Sequence, residues 1–235
     1  MPLALITGAS RGIGRASAYK FAEAGWDLLL TASKEESIYP VASDLAKTGR
    51  KILFKAIDLS KPSEISAGLE ELLNGSLIPN VLINNAGVAW TGELLSMPLK
   101  SWQLVMQLNV TSVFQVCSTV VPLMRSNGGL VINVSSHASR NSFPQWGAYC
   151  TSKAALASFT KCLAEEERMN SIRACTLTLG SVNSSLWDSD TVQSGFDRKS
   201  MLSEDQAASA ILHLAEQPSS QIIEDLTLMP ASGAF

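Results

Sequence analysis

Residues 7–14 read TGASRGIG and come directly after a short apolar run, LALI, at residues 3–6. An apolar run followed by glycines and a helical pattern is typical of a strand that turns tightly into a helix. The N-terminus of such a helix presents free amide groups that attract a phosphate, and glycines let that phosphate approach the backbone. Because a tight strand-to-helix turn also needs glycines for its own geometry, the glycines alone are weak evidence for a phosphate site.

Short apolar runs and longer helical patterns alternate along the rest of the chain. The apolar runs fall at residues 3–6, 27–31, 51–57, 81–84, 130–134, 173–177 and 225–229, and the helical patterns at 12–24, 38–47, 63–73, 100–125, 149–167 and 203–216. This alternation predicts parallel strands with right-handed helical crossovers, and the near-continuous apolar runs predict strands covered by helices on both faces. We therefore expect a doubly wound parallel α/β sheet in a single domain over residues 1–235.

Residues 181–200 fit neither the strand nor the helix period and carry aromatic side chains in a polar background. A long irregular segment inside a compact domain is usually functional. We expect this segment to form a lid over a substrate.

Composition excludes several classes of protein. Hydrophobic residues make up 46% of the 235 residues and charged residues 17%, with a net charge of −3, which excludes a disordered chain and a bulk electrostatic grip on nucleic acid or an anionic membrane. The four cysteines form no CxxC pair, and the two histidines are too few for a metal site or a histidine-based triad with a relay. We expect the cysteines to be small buried hydrophobes of a cytoplasmic protein. Met1 and Pro2 lead into the first apolar run without a basic region, so we expect no signal peptide.

Residues 101–124 contain no charge and are long enough to span a bilayer. Nine of these residues are polar, however, and burying them in lipid would be costly. We expect a buried helix of a soluble domain rather than a membrane span.

The glycine spacing G-x-x-x-G-x-G departs from the G-x-G-x-x-G of the commonest dinucleotide folds. It resembles the TGxxxGxG motif of the short-chain dehydrogenase/reductase family. Further matches follow in the order of that family: Asp58-Leu59, NNAG at residues 84–87, Ser135-Ser136, and YCTSK at residues 149–153, which matches YxxSK. The resemblance covers residues 3–184 and implies a Rossmann-type sheet of seven strands in the order 3-2-1-4-5-6-7.

The candidate catalytic residues are Asn109, Ser136, Tyr149 and Lys153. Tyr149 and Lys153 stand four residues apart on a predicted helix, so their side chains project from one face. A lysine ammonium beside a tyrosine favours the phenolate, and a pKa lowered from about 10 to about 7 would need roughly 4 kcal/mol. The resemblance implies that Tyr149 is the acid/base, that Lys153 binds the nicotinamide ribose and tunes the tyrosine, and that Ser136 positions the substrate oxygen. It also implies that Asn109 links the lysine to a proton-relay water, although an asparagine in an apolar helix could instead satisfy a local carbonyl.

The candidate cofactor-binding residues follow the same motifs. They are Gly8, Ser10, Arg11, Gly12, Ile13, Gly14, Ser33, Lys34, Asp58, Leu59, Asn85, Ala86, Gly87, Tyr149, Lys153, Val182 and Ser184. The segment 179–184 departs from the family pattern P-G-x-V-x-T, because Leu179 stands in place of proline and Ser184 in place of threonine. The missing proline puts the rigidity of this loop in doubt.

The expected cofactor is NADP(H). An enzyme of this type that uses NAD needs an acid at the end of the second strand, whereas Ser33 and Lys34 stand there and can donate to a 2′-phosphate. Arg11 is a second basic group, and the resemblance associates a base at that place with NADP. A register shift of two residues would bring Glu35 to the acid position, and Lys34 would be an ordinary solvated residue if it only ends a turn.

The candidate substrate-contacting residues are Trp90, Phe143, Trp146 and Trp187, which lie in the three regions that border the substrate in the resembling family. They favour an apolar or aromatic carbonyl compound, although some of these rings could pack in the core or in an oligomer contact. His137 could touch the substrate or serve only as a turn residue.

The leading functional hypothesis is an NADPH-dependent reductase that reversibly transfers hydride to a ketone or aldehyde. An alternative from another class is a catalytically silent, redox-sensing NADP-binding protein, in which Tyr149 or Lys153 would be expected to erode. A nucleotide-sugar epimerase would need a large C-terminal substrate domain, for which about 50 residues after Ser184 leave no room. The apolar surfaces of residues 101–124 and 154–163 exceed what one sheet face can cover, and with the resemblance they predict a homodimer or homotetramer.

Overall fold

The computed structural model describes residues 1–75, 77–193 and 195–233. Its centre is one sheet of seven parallel strands in the order β3-β2-β1-β4-β5-β6-β7, which confirms the predicted architecture. The strands are β1 (Leu3–Ile6), β2 (Asp27–Ala32), β3 (Ile52–Ala56), β4 (Val81–Asn84), β5 (Gly129–Ser136), β6 (Ile172–Leu179) and β7 (Asp225–Leu228). Strands β5 and β6 each run two residues beyond their predicted ends, so that Ser136 and Leu179 form the last pair of their ladder.

Helices cover both faces of the sheet. They are α1 (Gly12–Glu23), α2 (Glu35–Ala46), α3 (Pro62–Leu73), α4 (Leu99–Met106), α5 (Ser112–Met124), α6 (Gly147–Glu167) and α7 (Glu204–Ala215). Helix α2 begins at Glu35, three residues before the predicted start, because Glu35 and Glu36 in its first turn complement the positive end of the helix dipole. The predicted single helix over residues 100–125 is interrupted by a π-helical turn at Gln107–Thr111.

Two apolar layers lie on opposite sides of the sheet. Ile6 and Leu30 belong to the layer under α1, α2 and α7, while Leu5 and Leu82 belong to the layer under α3, α5 and α6. Successive strand residues point to opposite faces, so a strand covered on both faces must be apolar at every position. This explains the unbroken apolar runs in the sequence.

One helix among the described residues, Leu99–Met124, is long and apolar enough to cross a membrane by length and composition alone. Its inner side supplies Val116, Val120 and Met124 to the layer under α3, α5 and α6, whereas Phe114 and Leu123 are exposed. The core helix of a soluble domain passes the same test of length and composition. This helix packs against one face of the sheet, as such a core helix does.

A buried chain of hydrogen bonds joins the centre of the sheet to helix α6. The Asn84 amide on β4 donates to Asn133 Oδ1 on β5 at 2.8 Å, and the Asn133 amide donates to Thr160 Oγ1 on α6 at 2.8 Å. All three side chains are at least 97% buried. Because a buried polar group that loses its partner is costly, this chain sets the position of α6 against the sheet.

The predicted lid, residues 181–200, lacks a long helix or strand in its described part, and residue 194 lies outside the described residues. It contains two short 3₁₀ turns, Ser185–Asp188 and Arg198–Ser200. A single parallel bridge between Val182 and Leu202 joins the two ends of the segment.

Candidate active site

A cavity of about 520 Å³ lies at the carboxyl ends of the strands. The loops after β1 to β6 and the lid line it, and ligands of doubly wound sheets bind at this edge. The glycine-rich turn, the NNAG segment, Ser136, Tyr149 and Lys153, which are far apart in the sequence, all contribute to its wall.

The glycine-rich turn after β1 has the geometry that glycine permits. Gly8 and Gly12 have φ of +66° and +59°, in the left-handed region, and both line the cavity together with Ser10, Arg11 and Ile13. Gly14 is not among the described lining residues. A Cβ at Gly14 would collide with the Gly8 carbonyl and lie 2.5 Å from Asn85 Nδ2, so this glycine allows the turn and the NNAG segment to pack closely.

The NNAG segment is tied to the same turn by hydrogen bonds. The Asn85 amide donates to the Thr7 carbonyl at 3.0 Å, and the Thr7 hydroxyl accepts from the backbone N–H groups of Asn85 and Ala86 at 3.1 Å. Asn85, Ala86 and Gly87 line the cavity. Two motifs that are almost 80 residues apart therefore form one rigid wall.

The end of β2 presents basic and hydroxyl groups to the cavity. Ser33 and Lys34 line it, whereas Glu35 begins α2 and is not among the described lining residues. Strand β2 ends at Ala32, so the two-residue register shift that would bring Glu35 to the acid position does not occur. The Thr31 hydroxyl also borders the cavity, is buried and has no hydrogen-bond partner among the described residues.

The Asp58-Leu59 pair after β3 also lines the cavity. One carboxylate oxygen of Asp58 accepts hydrogen bonds from the backbone N–H of Ser60 at 3.0 Å and from its hydroxyl at 2.7 Å. These bonds hold the turn that leads into α3 and orient the carboxylate.

One end of the cavity contains Tyr149, Lys153 and Ser136, near the end of β5. Ser33 and Lys34 lie at the other end, after β2. Lys153 Nζ donates to the Val134 carbonyl at 2.9 Å and lies 5.7 Å from the centre of the Tyr149 ring. The Ser136 hydroxyl accepts from the Ala138 backbone N–H at 3.2 Å and lies beside Tyr149, whose pKa it lowers. The predicted helix face therefore brings its two residues to the end of β5.

The charge states of Tyr149 and Lys153 are governed by burial. Burial raises the pKa of Tyr149 to about 12, although the hydrogen bond with Ser136 lowers it in part. Burial lowers the pKa of Lys153 to about 8. The expected lowering of the tyrosine pKa is therefore wrong for this structure, because exclusion of water disfavours the phenolate and the ammonium is directed to the Val134 carbonyl.

Asn109 lies in the π-helical turn and is completely buried. Its Oδ1 accepts from the Val88 backbone N–H, while its amide donates to the Val88 carbonyl and to Ser152 Oγ, all at 2.9 Å. The side chain thus satisfies a local backbone segment, as the structural alternative supposed. It also ties that segment to α6 at the residue next to Lys153.

The loop after β6 lacks the family's proline but is anchored in another way. Leu179 is the last residue of β6 and is buried, and the Gly180 backbone N–H donates to the Leu228 carbonyl of β7 at 2.8 Å. Val182 and Ser184 line the cavity, as does Ser181, whose buried hydroxyl has no hydrogen-bond partner in the part of the chain that the structure describes. The sheet ladder therefore supplies the rigidity that the missing proline put in doubt.

Four aromatic side chains, Phe143, Trp146, Trp187 and Phe196, form one wall of the cavity, which we call the aromatic wall. Trp90 is not among the described lining residues, and its ring instead lies against Gly92. Phe196 is not among the candidate site residues that the sequence motifs predict. The only signal for it was an aromatic residue inside the predicted lid.

His137 lines the cavity from the 3₁₀ turn that follows Ser136. Its Nε2 lies 2.8 Å from the Asn141 amide, four residues further along the same loop. The residue is therefore both a turn residue and part of the cavity wall.

One end of the lid is held by Arg198. Its Nε donates to Asn183 Oδ1 at 2.7 Å, and its guanidinium forms an ion pair with Asp188. The ion pair joins the two 3₁₀ turns of the lid to each other.

The middle of the lid is held by a pair of threonines, Thr91 and Thr191, which we call the threonine clasp. The Thr191 hydroxyl donates to the Ala89 carbonyl at 2.7 Å, and the Thr91 backbone N–H donates to the Thr191 carbonyl at 2.9 Å. The clasp fastens the lid to the loop that follows NNAG.

Among residues 1–75, 77–193 and 195–233, no group of three or more His, Cys, Asp or Glu side chains is placed to hold a metal ion. The four cysteines are free, and Cys117, Cys150 and Cys175 are buried. Cys162 is exposed, so the prediction that all four would be buried is wrong for the residue on the outer side of α6.

Known proteins are similar to this chain in sequence and in fold. The family model described as short chain dehydrogenase matches residues 2–194. The chain is 32% identical over 185 residues to 3-oxoacyl-(acyl-carrier-protein) reductase FabG of Chlamydia muridarum (strain MoPn / Nigg), which is 78% of this chain and 75% of the relative. It is 28% identical to serine 3-dehydrogenase of Rhizobium radiobacter over 98% of this chain and 94% of the relative.

A solved structure extends the similarity to the whole fold. A metagenomic short-chain oxidoreductase in complex with NADP superposes with a TM-score of 0.85 at 28% identity, covering 98% of this chain and 97% of the other. The family model spans most of the sequence, and the relatives are reductases and dehydrogenases. The chain therefore belongs to the short-chain dehydrogenase/reductase family and is an oxidoreductase acting on alcohol and carbonyl groups.

Proposed function

We propose that the protein is an NADPH-dependent reductase that reduces a ketone or aldehyde to the alcohol in a reversible reaction. The observation that carries this proposal is the meeting of Ser136, Tyr149 and Lys153 with the glycine-rich turn in one cavity. Stability of the fold alone would not require the glycine-rich turn to lie in the same cavity as Ser136, Tyr149 and Lys153. Together they provide a phosphate-binding turn and a proton donor at opposite parts of the same site.

The donor groups of the cavity fit a nicotinamide dinucleotide. The first turn of α1 offers backbone N–H groups and Gly8 and Gly12 leave space beside them, as a pyrophosphate requires. The buried hydroxyls of Thr31 and Ser181, which lack hydrogen-bond partners within residues 1–75, 77–193 and 195–233, add polar groups at the two ends of the cavity. Asp58 and Leu59 are proposed to border the adenine, and Val182 and Ser184 the carboxamide.

The cofactor would supply the hydride that reaches the carbonyl carbon. Tyr149 is proposed to donate its phenolic proton to the carbonyl oxygen, since the phenol is protonated at neutral pH. The Ser136 hydroxyl would hydrogen-bond the same oxygen and stabilise its developing charge. Lys153 would hold a ribose hydroxyl, and Asn109 would position the segment around Val88 and α6.

We place the protein in the cytoplasm, as its free cysteines suggest. A homodimer or homotetramer is proposed as its assembly. Phe114 and Leu123 on α5 are exposed, and the Phe114 ring packs edge-on against Phe159 of α6 at 6.5 Å. These two helices therefore present an apolar surface to solvent.

Replacing Tyr149 with phenylalanine removes the proposed proton donor and little else. Turnover with NADPH and a ketone should fall about 10²–10⁴-fold, the usual contribution of a general acid, while NADPH should still bind. Steady-state kinetics and a fluorescence titration with NADPH measure the two effects.

Tyr39→Phe is the control, because that tyrosine is exposed on α2, and it should behave as the wild type. Retention of most activity in Tyr149→Phe would refute the assignment. A wild-type protein that binds NADPH but turns over no carbonyl would favour the redox-sensing alternative.

The buried Lys153 makes stability depend on pH. Its folded pKa of about 8 lies below the ordinary 10.5, so the burial of the charge destabilises the fold at neutral pH, and this cost is relieved as the pH rises from about 8 to 10.5. Relative to Lys153→Met, the wild type should gain about 2–3 kcal/mol of unfolding free energy between pH 7 and 10. Urea denaturation of both proteins across this range measures the difference.

Lys161→Met, on the exposed side of the same helix, is the control for the loss of a lysine. If the difference in unfolding free energy between the wild type and Lys153→Met stayed constant across the pH range, the lowered pKa of Lys153 would be contradicted.

Arg11 and Lys34 are proposed to select NADPH over NADH by binding the 2′-phosphate. Each charge-assisted bond contributes about 1.5–3 kcal/mol, so Arg11→Ala and Lys34→Ala should each lower the preference for NADPH about 10- to 150-fold. The measurement is kcat/KM with NADPH and NADH on one ketone. Arg15→Ala, one turn along α1 and outside the described lining residues, should leave the preference unchanged. Equal use of both cofactors by the wild type would contradict the proposal.

The proposed assembly is tested by light scattering at micromolar concentration. The wild type should have the mass of a dimer or tetramer of the 25.1 kDa chain, and Phe114→Glu should weaken association because a charge would be buried at the apolar surface. A monomeric wild type would refute the assembly.

A further inference from the structure

Three rings of the aromatic wall, Trp146, Trp187 and Phe196, form a chain of contacts that leads away from Tyr149. The Trp146 ring lies 5.6 Å from the Tyr149 ring and 5.6 Å from the Trp187 ring, and the Trp187 ring lies 5.8 Å from Phe196. All three pairs are edge-to-face, with interplanar angles of 63–88°. Aromatic pairs favour this arrangement, so a further ring beside them would be held in the same way.

The wall is held in place by hydrogen bonds. The Trp187 indole N–H donates to the Val182 carbonyl at 2.7 Å, which ties the ring to the start of the lid. The threonine clasp and the Arg198–Asp188 ion pair hold the lid itself. A wall whose side chains are already ordered loses less conformational entropy when a ligand binds.

The charged residues of the cavity stand away from this wall. Among the described lining residues, Arg11, Lys34 and Asp58 lie in the loops after β1, β2 and β3, and the Lys153 ammonium is engaged by the Val134 carbonyl. Around the aromatic wall, the loops after β4 to β6 and the lid contribute apolar, aromatic, hydroxyl and imidazole side chains. A substrate carboxylate or ammonium buried there would lose its hydration without gaining an ionic partner.

We propose that the substrate is an uncharged aryl ketone or aldehyde, whose ring packs against Trp146 and Trp187 while its carbonyl oxygen reaches Tyr149 and Ser136. This inference rests on the proposed reductase function. It separates this chain from the relative named serine 3-dehydrogenase, because serine carries both an ammonium and a carboxylate. Phe196 completes the wall from the lid and is proposed as a specificity-determining residue.

The test compares four carbonyl compounds in the full chain with NADPH. Acetophenone carries an aryl ring, cyclohexyl methyl ketone an apolar ring without π electrons, butanone no ring, and pyruvate a charge. We expect kcat/KM to be highest for acetophenone, about tenfold lower for cyclohexyl methyl ketone, and at least a hundredfold lower for pyruvate, since each edge-to-face pair accounts for up to about a tenfold effect.

Substitutions in the aromatic wall then show which of its residues cause the preference for acetophenone. Phe196→Leu should raise KM for acetophenone about tenfold while changing KM for butanone less than threefold, with kcat and NADPH affinity retained. Trp187→Leu should change the two KM values in the same way, with NADPH affinity measured alongside because the indole N–H holds the Val182 carbonyl. Trp187→Phe keeps a ring and should restore most of the acetophenone affinity if Trp187→Leu folds poorly. Trp90→Leu is the matched control, because that tryptophan is outside the described lining residues, and it should leave the ratio of the two KM values unchanged.

The outcomes distinguish the two proposals. Faster reduction of pyruvate than of acetophenone, or equal changes for acetophenone and butanone in the wall variants, would overturn the aryl specificity and leave the reductase function standing. Bound NADPH without turnover of any of the four compounds would overturn the reductase function, and the aryl specificity with it.

Discussion

The position of helix α6 against the sheet is the constraint on which the rest of the site depends. The hydrogen-bond chain from Asn84 through Asn133 to Thr160 holds the middle of the helix, and the Lys153 ammonium on the Val134 carbonyl holds its first half. Every donor in this arrangement is buried, so a displaced helix would leave polar groups without partners. The Tyr149 hydroxyl is therefore directed to the end of β5 by the core of the protein rather than by the loops around the site.

Burial has opposite chemical consequences for Tyr149 and Lys153. It keeps the phenol protonated far above neutral pH and makes the ammonium easier to deprotonate than a lysine in water. A protonated phenol suits the donation of a proton to a carbonyl oxygen, whereas the reverse oxidation requires the phenolate.

The side of the cavity that is formed by the lid and the loops after β4 and β6 is assembled from different parts of the chain. The threonine clasp joins the lid to the loop after NNAG, and the ladder between Gly180 and Leu228 anchors the loop after β6. These contacts hold the loop after β6 in one conformation, although Leu179 stands in place of the family's proline. They also fix the position of Trp187, although this residue lies on a long irregular segment.

The sequence by itself predicted seven parallel strands, because strand periodicity is a local property of the chain. The TGxxxGxG, NNAG and YxxSK motifs implied the strand order and the site residues only through the family that they resemble. The sequence also indicated that Tyr149 and Lys153 share a helix face, since that depends on their spacing alone. Only the tertiary structure decided that Phe196 and not Trp90 borders the cavity, because both are aromatic residues in loops and their directions depend on distant contacts. The same holds for the pKa of Tyr149: spacing places an ammonium beside it, but the surrounding layers exclude water and raise the pKa instead.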